Sequence, residues 1–237
     1  WMLRKISAEE LERIISERRE GEPLDLSGCL FEDLDLSGWD LRQINFDKSD
    51  FRNVRLNGAD LSGCSASNAF FQGSSLRGTI LQDAFLHSAD FRYCDMTGAD
   101  ISGADIFAAA LHGAALRGVT ADERTKFYEP RCPMSGAFIG WKVCFGRRIV
   151  QLLIPADARR LQGTTYEIRV DKAKVLSIRT GDYSQSFTEA HSYVDENFWY
   201  RTGEWVRAES YETDRFTESG GGIHIWMDRE AAIAYLG

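Results

Sequence analysis

Four polar residues in the second half of the chain, Lys142, Ser192, Glu204 and His224, are of the types that enzymes use for catalysis. Such side chains supply nucleophiles and general acids and bases. No Ser-His-Asp order, paired-carboxylate motif or phosphate-binding loop accompanies them, and the glycines at 220–222 predict only a turn before a strand. The residue types alone therefore favour a core histidine and surface carboxylates over a catalytic site.

The five cysteines predict neither a metal site nor a disulfide framework. Cys29, Cys64 and Cys94 fall at regularly spaced positions that otherwise hold small residues, where they read as small hydrophobes. Cys132 and Cys144 alone cannot supply the four ligands of a structural zinc site. Reduced thiols in a cytoplasmic protein are the simplest interpretation, and we expect no metal and no cofactor.

A large apolar residue returns at every fifth position from Leu26 to Leu116, nineteen positions in which only Ala66 is smaller than Ile, Leu, Met or Phe. A period of five fits neither a helix nor a strand and requires a chain that turns a corner every five residues. Four corners close a square, so one coil should take 20 residues. Sorting by 20 places like above like, as in a β-solenoid; one column reads Phe31, Phe51, Phe71, Phe91 and Leu111.

Within this stretch, residues 59–63 read Ala-Asp-Leu-Ser-Gly and residues 99–103 read Ala-Asp-Ile-Ser-Gly. These units resemble pentapeptide repeats, commonly written A(D/N)LXX, and the resemblance covers about 95 residues in tandem. It implies a right-handed quadrilateral β-helix over residues 24–118. Just under five coils at the usual strand spacing would make a rod about 23 Å tall.

The first 23 residues are expected to cap this β-helix. Ser7 followed by Glu10 is a capping-box pattern, and the apolar residues that follow fall on one helical face. The pattern predicts a helix over about residues 8–20, ended by Gly21. An open β-helix end exposes unpaired backbone groups, which such a helix could cover.

Most of the net charge of −8 lies in the repeats, which hold 13 acidic and 7 basic residues. The resemblance implies one role for such acidity, the mimicry of DNA to inhibit a topoisomerase or another DNA-binding protein. That alternative predicts a continuous negative stripe that includes Asp90, Asp95, Asp100 and Asp105. The aspartates also belong to the repeat unit itself, however, where they can accept hydrogen bonds in the turns.

Two aromatic residues off the inward track, Phe70 and Phe85, are the other candidate partner contacts of the repeats. A pI of 5.1 and the lack of a basic stripe argue against direct nucleic-acid binding. Membrane binding is not expected, because the sequence has no amphipathic basic helix and no apolar run close to the ~20 residues that a membrane span needs. A protein partner is therefore expected, with its identity and the oligomeric state left open.

After a polar connector at 119–126, the composition changes to that of an α+β domain over residues 127–237. Alternating patterns predict strands at 137–145, 148–154, 166–170, 174–179 and 198–206, the last with a turn at 202–203. Asp228 should be the N-cap of a closing helix over 229–236. A domain of this size can hold its own core.

The residues at 132–142, Cys-Pro-Met-Ser-Gly-Ala-Phe-Ile-Gly-Trp-Lys, are similar to the opening of an uncharacterised domain that follows pentapeptide repeats in many bacterial and phage proteins. Later blocks match in order over nearly all of 128–237. The strand at 222–225 and the helix after it also faintly resemble an element of ADP-ribosyltransferases. That resemblance implies a cleft in which Lys142, Ser192 and His224 reach one ligand. We expect instead a non-enzymatic scaffold or protein-interaction protein.

Overall fold

The computed structural model describes residues 3–19, 22–217 and 220–235. The chain divides after Glu129 into two compact units, which we call the repeat unit (1–129) and the C-terminal domain (130–237). Strands and single β-bridges dominate both units, and the two described α-helices are short. The protein is mainly β.

The repeat unit begins with a two-residue strand and a helix. Strand β1 (Arg4–Lys5) precedes helix α1 (Ala8–Ser16), and the Ser7 side chain accepts the backbone N–H of Glu10 at 3.1 Å, which confirms the predicted N-cap. The helix ends four residues before the predicted residue 20, because the chain turns toward the repeats and the Arg18 side chain donates to the carbonyl of Arg42 at 2.7 Å. Gly21, the predicted terminator, lies outside the described residues.

The repeats pair with one another in parallel, each residue with one 20 positions later. The first coils form short strands: β2 (Leu24–Asp25), β3 (Cys29–Glu32), β4 (Ile44–Asn45) and β5 (Asp50–Arg52). Later coils pair through single bridges, as in the ladder from Asp40 through Asp60, Ile80 and Asp100 to Thr120. Four such ladders run through the unit, offset from one another by five residues. The 20-residue spacing expected from the sequence is therefore present in the backbone pairing.

The inward track of the repeats is buried as predicted. Every residue of the track from Leu26 to Leu111 is at most 5% exposed, and Leu116 at its end is half-buried. The predicted phenylalanine column stacks ring on ring, with centroid distances of 4.7, 4.4 and 5.0 Å along Phe31, Phe51, Phe71 and Phe91. Burying each such side chain contributes about 1.5–3 kcal/mol, so the column is a major part of the core.

Where an aspartate precedes the inward residue, as in nine of the units, it can hold the corner of its unit. The carboxylate of Asp100, for example, accepts the N–H of Ser102 at 2.9 Å, and the next residue, Gly103, has a φ of +71° that favours glycine. The segment 119–126, expected to be a connector, instead continues the last coil. Its Asp122 accepts the N–H of Gly103 at 2.9 Å, and Lys126 pairs with Asp105 one residue out of the usual register.

The strands of the C-terminal domain are β6 (Phe138–Cys144), β7 (Arg148–Ile154), β8 (Arg160–Gln162), β9 (Glu167–Val170), β10 (Lys172–Arg179), β11 (Ser186–Phe187), β12 (Glu189–His191), β13 (Trp199–Arg201), β14 (Trp205–Arg207) and β15 (Ile223–Trp226). The domain is built on an antiparallel sheet in the order β11-β10-β7-β6-β15-β9-β8, with β14 also paired to β10. A 3-10 turn at Phe145–Arg147 joins β6 to β7, and β12 pairs with β13 in a separate ribbon.

Apolar side chains pack on both faces of this sheet, because successive residues of a strand point to opposite faces. Val150 belongs to a large apolar cluster on one face, and the adjacent Ile149 belongs to a smaller one on the other face, which includes Ala232 of helix α2 (Arg229–Ala234). Asp228 caps α2 as predicted, accepting the N–H of Ala231 at 2.8 Å. Residue 236, the predicted end of this helix, lies outside the described residues.

Candidate functional site

A cavity of about 480 Å³ lies within the C-terminal domain, a volume typical of ligand pockets. Its polar lining residues are Lys142, Glu167, Ser192, Asp195, Glu209, Ser210 and His224, and the remainder are Val143, Tyr193, Val194, Phe198, Tyr200, Ala208, the glycines at 220–222, Ile223, Trp226 and Tyr235. Buried residues such as Tyr200 and Trp226 form its floor, whereas Val194, 96% exposed, and Tyr235 stand at its mouth. Three of the four predicted catalytic residues therefore share one cavity.

The cavity lies where strands β6 and β15 separate. These strands pair only at Trp141 and Trp226, although β6 pairs with β7 along its whole length. If β6 and β15 stayed paired in the same antiparallel register, His224 would lie opposite Val143. These two residues do not pair, and both line the cavity. An opening in the sheet is thus what creates the site.

Lys142 extends into this opening. Its ammonium donates to the carbonyl oxygen of His224 at 3.3 Å, and among the described residues it forms no ion pair. Burial lowers the pKa of the Lys142 ammonium, and the nearby Cys144 and Glu167 oppose that effect only in part. The lysine is a part-buried cation that has one hydrogen-bond acceptor among the described residues.

His224 is held by both of its ring nitrogens. Nδ1 lies 2.6 Å from a carboxylate oxygen of Glu167, and Nε2 lies 2.9 Å from the carbonyl oxygen of Gly220. Both partners are hydrogen-bond acceptors, so both ring nitrogens are directed at protein oxygens. Neither nitrogen is without a protein partner. His224 orders the cavity wall and is not placed as a general base.

Ser192 lies on the cavity floor at the end of the β12 ribbon. Its hydroxyl oxygen accepts the N–H of Val194 at 3.3 Å, and its own N–H donates to the carbonyl of Phe198 at 3.0 Å. This leaves the hydroxyl proton able to turn into the cavity. Because both ring nitrogens of His224 contact protein oxygens, His224 is not placed to act as a base for Ser192.

Glu204, the fourth predicted catalytic residue, stands apart from the cavity. It is exposed in the turn between β13 and β14, where its carbonyl accepts the N–H of Val175 at 2.9 Å. Sequence reasoning instead missed Glu167, which fixes His224 and lines the cavity. The predicted strand at 166–170 contained it, but no local signal shows that β9 lies beside β15.

The four aspartates of the predicted acidic stripe lie in four different ladders. Asp90 pairs with Phe70, Asp95 with Ser75, Asp100 with Ile80 and Asp105 with Phe85; successive ladders are reached by successive five-residue units. The structure therefore does not bring these carboxylates together in one row.

Each of the four carboxylates is also occupied by hydrogen bonds within the repeat unit. The hydroxyl and N–H of Thr97, with Arg77, hold the pKa of Asp95 at about 2. Burial alone would raise the pKa of Asp90, but its hydrogen bonds from Arg92 outweigh burial and lower it. The N–H of Ser102 and the Gln82 amide donate to Asp100, whereas Asp105 accepts from Lys126.

The two aromatic candidates of the repeats are exposed but separate. Phe70 is 52% and Phe85 is 54% exposed, and they lie in different ladders. Isolated aromatic residues of this kind are common on protein surfaces.

The cysteines offer no metal ligands in the described structure. All five thiols are free and buried, and burial raises the pKa of Cys64, Cys94 and Cys144 to about 12, which disfavours the thiolate that metals bind. Across residues 3–19, 22–217 and 220–235, no three His, Cys, Asp or Glu side chains group as a metal site. No helix within the same residues has the length and apolar character needed to cross a membrane.

Comparison with protein families identifies both units. The pentapeptide-repeat profile matches eight copies within residues 25–120, and the profile of a family of unknown function (DUF5758) matches residues 128–232. No curated protein matches the chain.

Solved structures resemble part of the chain. A pentapeptide repeat protein from the thylakoid lumen of Arabidopsis thaliana is 24% identical over 42% of this chain and 69% of its own, with a TM-score of 0.37. HetL of Nostoc, a pentapeptide repeat protein involved in heterocyst differentiation regulation, is 24% identical, and the match spans 46% of this chain and 48% of HetL, with a TM-score of 0.34. The chain is a pentapeptide repeat protein in which a DUF5758 domain follows the repeats.

Proposed function

We propose that the protein is a non-enzymatic scaffold and protein-interaction protein in which the cavity of the C-terminal domain recognises its partner. The observation that carries this proposal is the cavity itself, where Lys142 and Ser192 offer donors to a guest and the mouth is open at Val194. Concave sites with a few convergent polar groups are where proteins bind ligands.

An enzymatic role is less well supported by the same geometry. Catalysis by Ser192 would need a base beside it, and His224 is engaged at both nitrogens by Glu167 and Gly220. Glu204 lies outside the cavity. An ADP-ribosyltransferase-like reaction at this site would therefore lack the predicted Glu204, and both ring nitrogens of His224 are already engaged.

The repeat unit is proposed to serve as the scaffold, a right-handed four-sided β-helix capped by α1. The four parallel ladders with 20-residue spacing support a four-sided coil. Support for the cap comes from β1, which pairs with β3, and from Ile6 and Leu11, which are fully buried. We also propose the domain division drawn from the sequence, with residues 119–126 belonging to the last coil, and a cytoplasmic location, supported by the free thiols.

DNA mimicry by the repeats has weaker support than partner recognition by the cavity. Asp90, Asp95, Asp100 and Asp105 lie in four ladders, and internal donors already bind them. A duplex-like acidic row would need exposed carboxylates in one line.

Site-specific photocrosslinking of the full chain tests the proposal. A benzophenone amino acid replaces Val194 at the cavity mouth or, as a matched control, the exposed Met134, which is 67% exposed and does not line the cavity. In a third variant, the benzophenone amino acid replaces Phe85 in the repeats. We expect a discrete protein adduct from extract of the source cells at position 194 alone, and its loss when Ala208→Trp fills the cavity.

Adducts at position 85 without any at 194 would move recognition to the repeats, and equal labelling at 134 and 194 would refute a specific site. A binding titration with NAD+ addresses the enzyme alternative in the same preparations. We expect no saturable binding, and tight binding lost in the Ala208→Trp variant would favour the enzyme.

A further inference from the structure

The interactions of Lys142 are incomplete within the domain. A lysine ammonium has three N–H donors, and here one donates at 3.3 Å to the His224 carbonyl, longer than is usual for a charged donor. No described carboxylate pairs with it, because Glu167 is bonded to His224 instead. A part-buried cation without a direct ion pair can be stabilised by a ligand that supplies one.

The position of this ammonium follows from the opening of the sheet. The carbonyl of His224 lies on the strand edge that faces β6, where the ladder stops after Trp226 and Trp141. The Lys142 ammonium donates one N–H to that carbonyl, which leaves its other two N–H groups for a guest in the cavity. The Ser192 hydroxyl, whose oxygen accepts the N–H of Val194, can add a further donor. Two donors on one cavity suit an acceptor with two oxygens.

The rest of the cavity limits the charge and shape of the guest. Asp195 and Glu209 line the cavity, and Glu209 is exposed. These carboxylates would repel a guest with several negative charges, such as a nucleotide or a phosphate ester. The remaining lining is mostly uncharged and includes five aromatic residues, of which Trp226 and Tyr235 pack at a ring distance of 4.6 Å. An apolar or aromatic body therefore fits beside a single negative group.

We propose that the cavity binds a carboxylate carried on an apolar or aromatic body, with the Lys142 ammonium and the Ser192 hydroxyl as its donors. This rests on the proposed function in that the cavity is the recognition site. The C-terminal residue of a partner chain has this chemistry, and so does a small free acid. A chain terminus could also lie along the opened strand edges and pair with them.

Matched acids and amides test the charge requirement on the unmodified full chain. The probes are N-acetylphenylalanine and its amide, 3-phenylpropanoate and its amide, and a tetrapeptide ending in Phe with a free or amidated terminus, each titrated by calorimetry. We expect each bound acid to have at least tenfold higher affinity than its amide. Equal affinity of acid and amide, or no binding by any probe, would overturn the proposal.

Variants then assign the contact. Lys142→Met should weaken acid binding at least tenfold and leave amide binding unchanged, and Arg207→Met, which removes an exposed charge from β14, should change neither. Ser192→Ala is a second, milder variant, expected to weaken acid binding a few-fold. Acid binding that survives in Lys142→Met at wild-type affinity would refute the assignment.

The two sources of the carboxylate give different results. Binding of the free-terminus tetrapeptide well above 3-phenylpropanoate indicates a chain terminus, and the reverse order indicates a small acid. Acid selectivity without a crosslinked partner at position 194 would refute the protein partner but support the carboxylate site. A crosslinked partner without acid selectivity would support the protein partner but refute the carboxylate site. Failure of one proposal can therefore be told apart from failure of the other.

Discussion

Replacing Lys142 by Met should stabilise the C-terminal domain while removing its ligand contact. The ammonium is part-buried, has no ion pair in the described residues and makes one hydrogen bond of 3.3 Å. Exchanging such a charge for an apolar side chain of similar length removes a desolvation penalty, and we expect a gain of about 1–2 kcal/mol at neutral pH. For a domain of this size, that gain corresponds to a rise in Tm of about 5 °C.

The sign of the pH dependence provides a sharper test. The pKa of Lys142 is lower in the folded protein than in the unfolded chain, so between these two values the unfolded state binds more protons. Wild-type stability from this group therefore rises as the pH increases through that window. The advantage of Lys142→Met should be largest below the folded pKa and should shrink toward the unfolded value.

Urea unfolding of the full chain at a series of pH values, followed by tryptophan fluorescence, measures this difference; Trp141, Trp199, Trp205 and Trp226 all lie in the C-terminal domain. Arg207→Met is the matched control, because Arg207 is exposed and its loss should change stability by at most about 0.5 kcal/mol. A Lys142→Met protein that is less stable at every pH, or whose difference from wild type is independent of pH, would refute the reasoning.

Three further predictions concern the core, the histidine contact and the corner aspartates. Phe71→Ala should destabilise the repeat unit by about 3–5 kcal/mol in urea unfolding, whereas Phe70→Ala, at a 52% exposed site, should change it by less than about 0.5 kcal/mol; similar losses would contradict the inward track. Glu167→Gln should cost about 1–2 kcal/mol by removing the charged acceptor of His224, and unchanged stability would argue against that contact. The pKa of Asp95 is about 2 in the fold, below its usual 3.8, so its contribution to the free energy of unfolding is complete above pH 4 and is lost as the pH falls through about 2. Acid unfolding of Asp95→Asn, followed by circular dichroism, should therefore show a smaller loss of stability in that window than the wild type. Identical acid-unfolding curves would refute this.

The repeat unit could be read from the sequence because its contacts are short-range and periodic. Units with an aspartate can fix their own corner by a local hydrogen bond, such as that from Ser102 to Asp100, and the units pair with residues 20 positions away. The inward track and the stacked phenylalanines follow from counting alone. The five-residue period did not predict the pairing of residues 119–126, because one extra residue enters there. Lys126 pairs with Asp105 at a spacing of 21 residues, so the ladder continues after the apolar period ends.

In the C-terminal domain the sequence located strands better than it located partners. The pattern over 148–154 gave the bounds of β7, but the strands β8, β11 and β12 were missed because two or three residues carry too little alternation. Residue type also identified Lys142, Ser192 and His224 as candidates without showing that they share a cavity.

By itself, then, the sequence determined the 20-residue pairing and the inward residues of the repeats, because a five-residue period carries that information in neighbouring units. Only the tertiary structure decided the site. The placement of β15 between β6 and β9 brings Glu167 to His224, although they are 57 residues apart, and the early end of the β6–β15 ladder opens the cavity around Lys142. Strand order and register depend on packing across the whole domain, which no local pattern encodes.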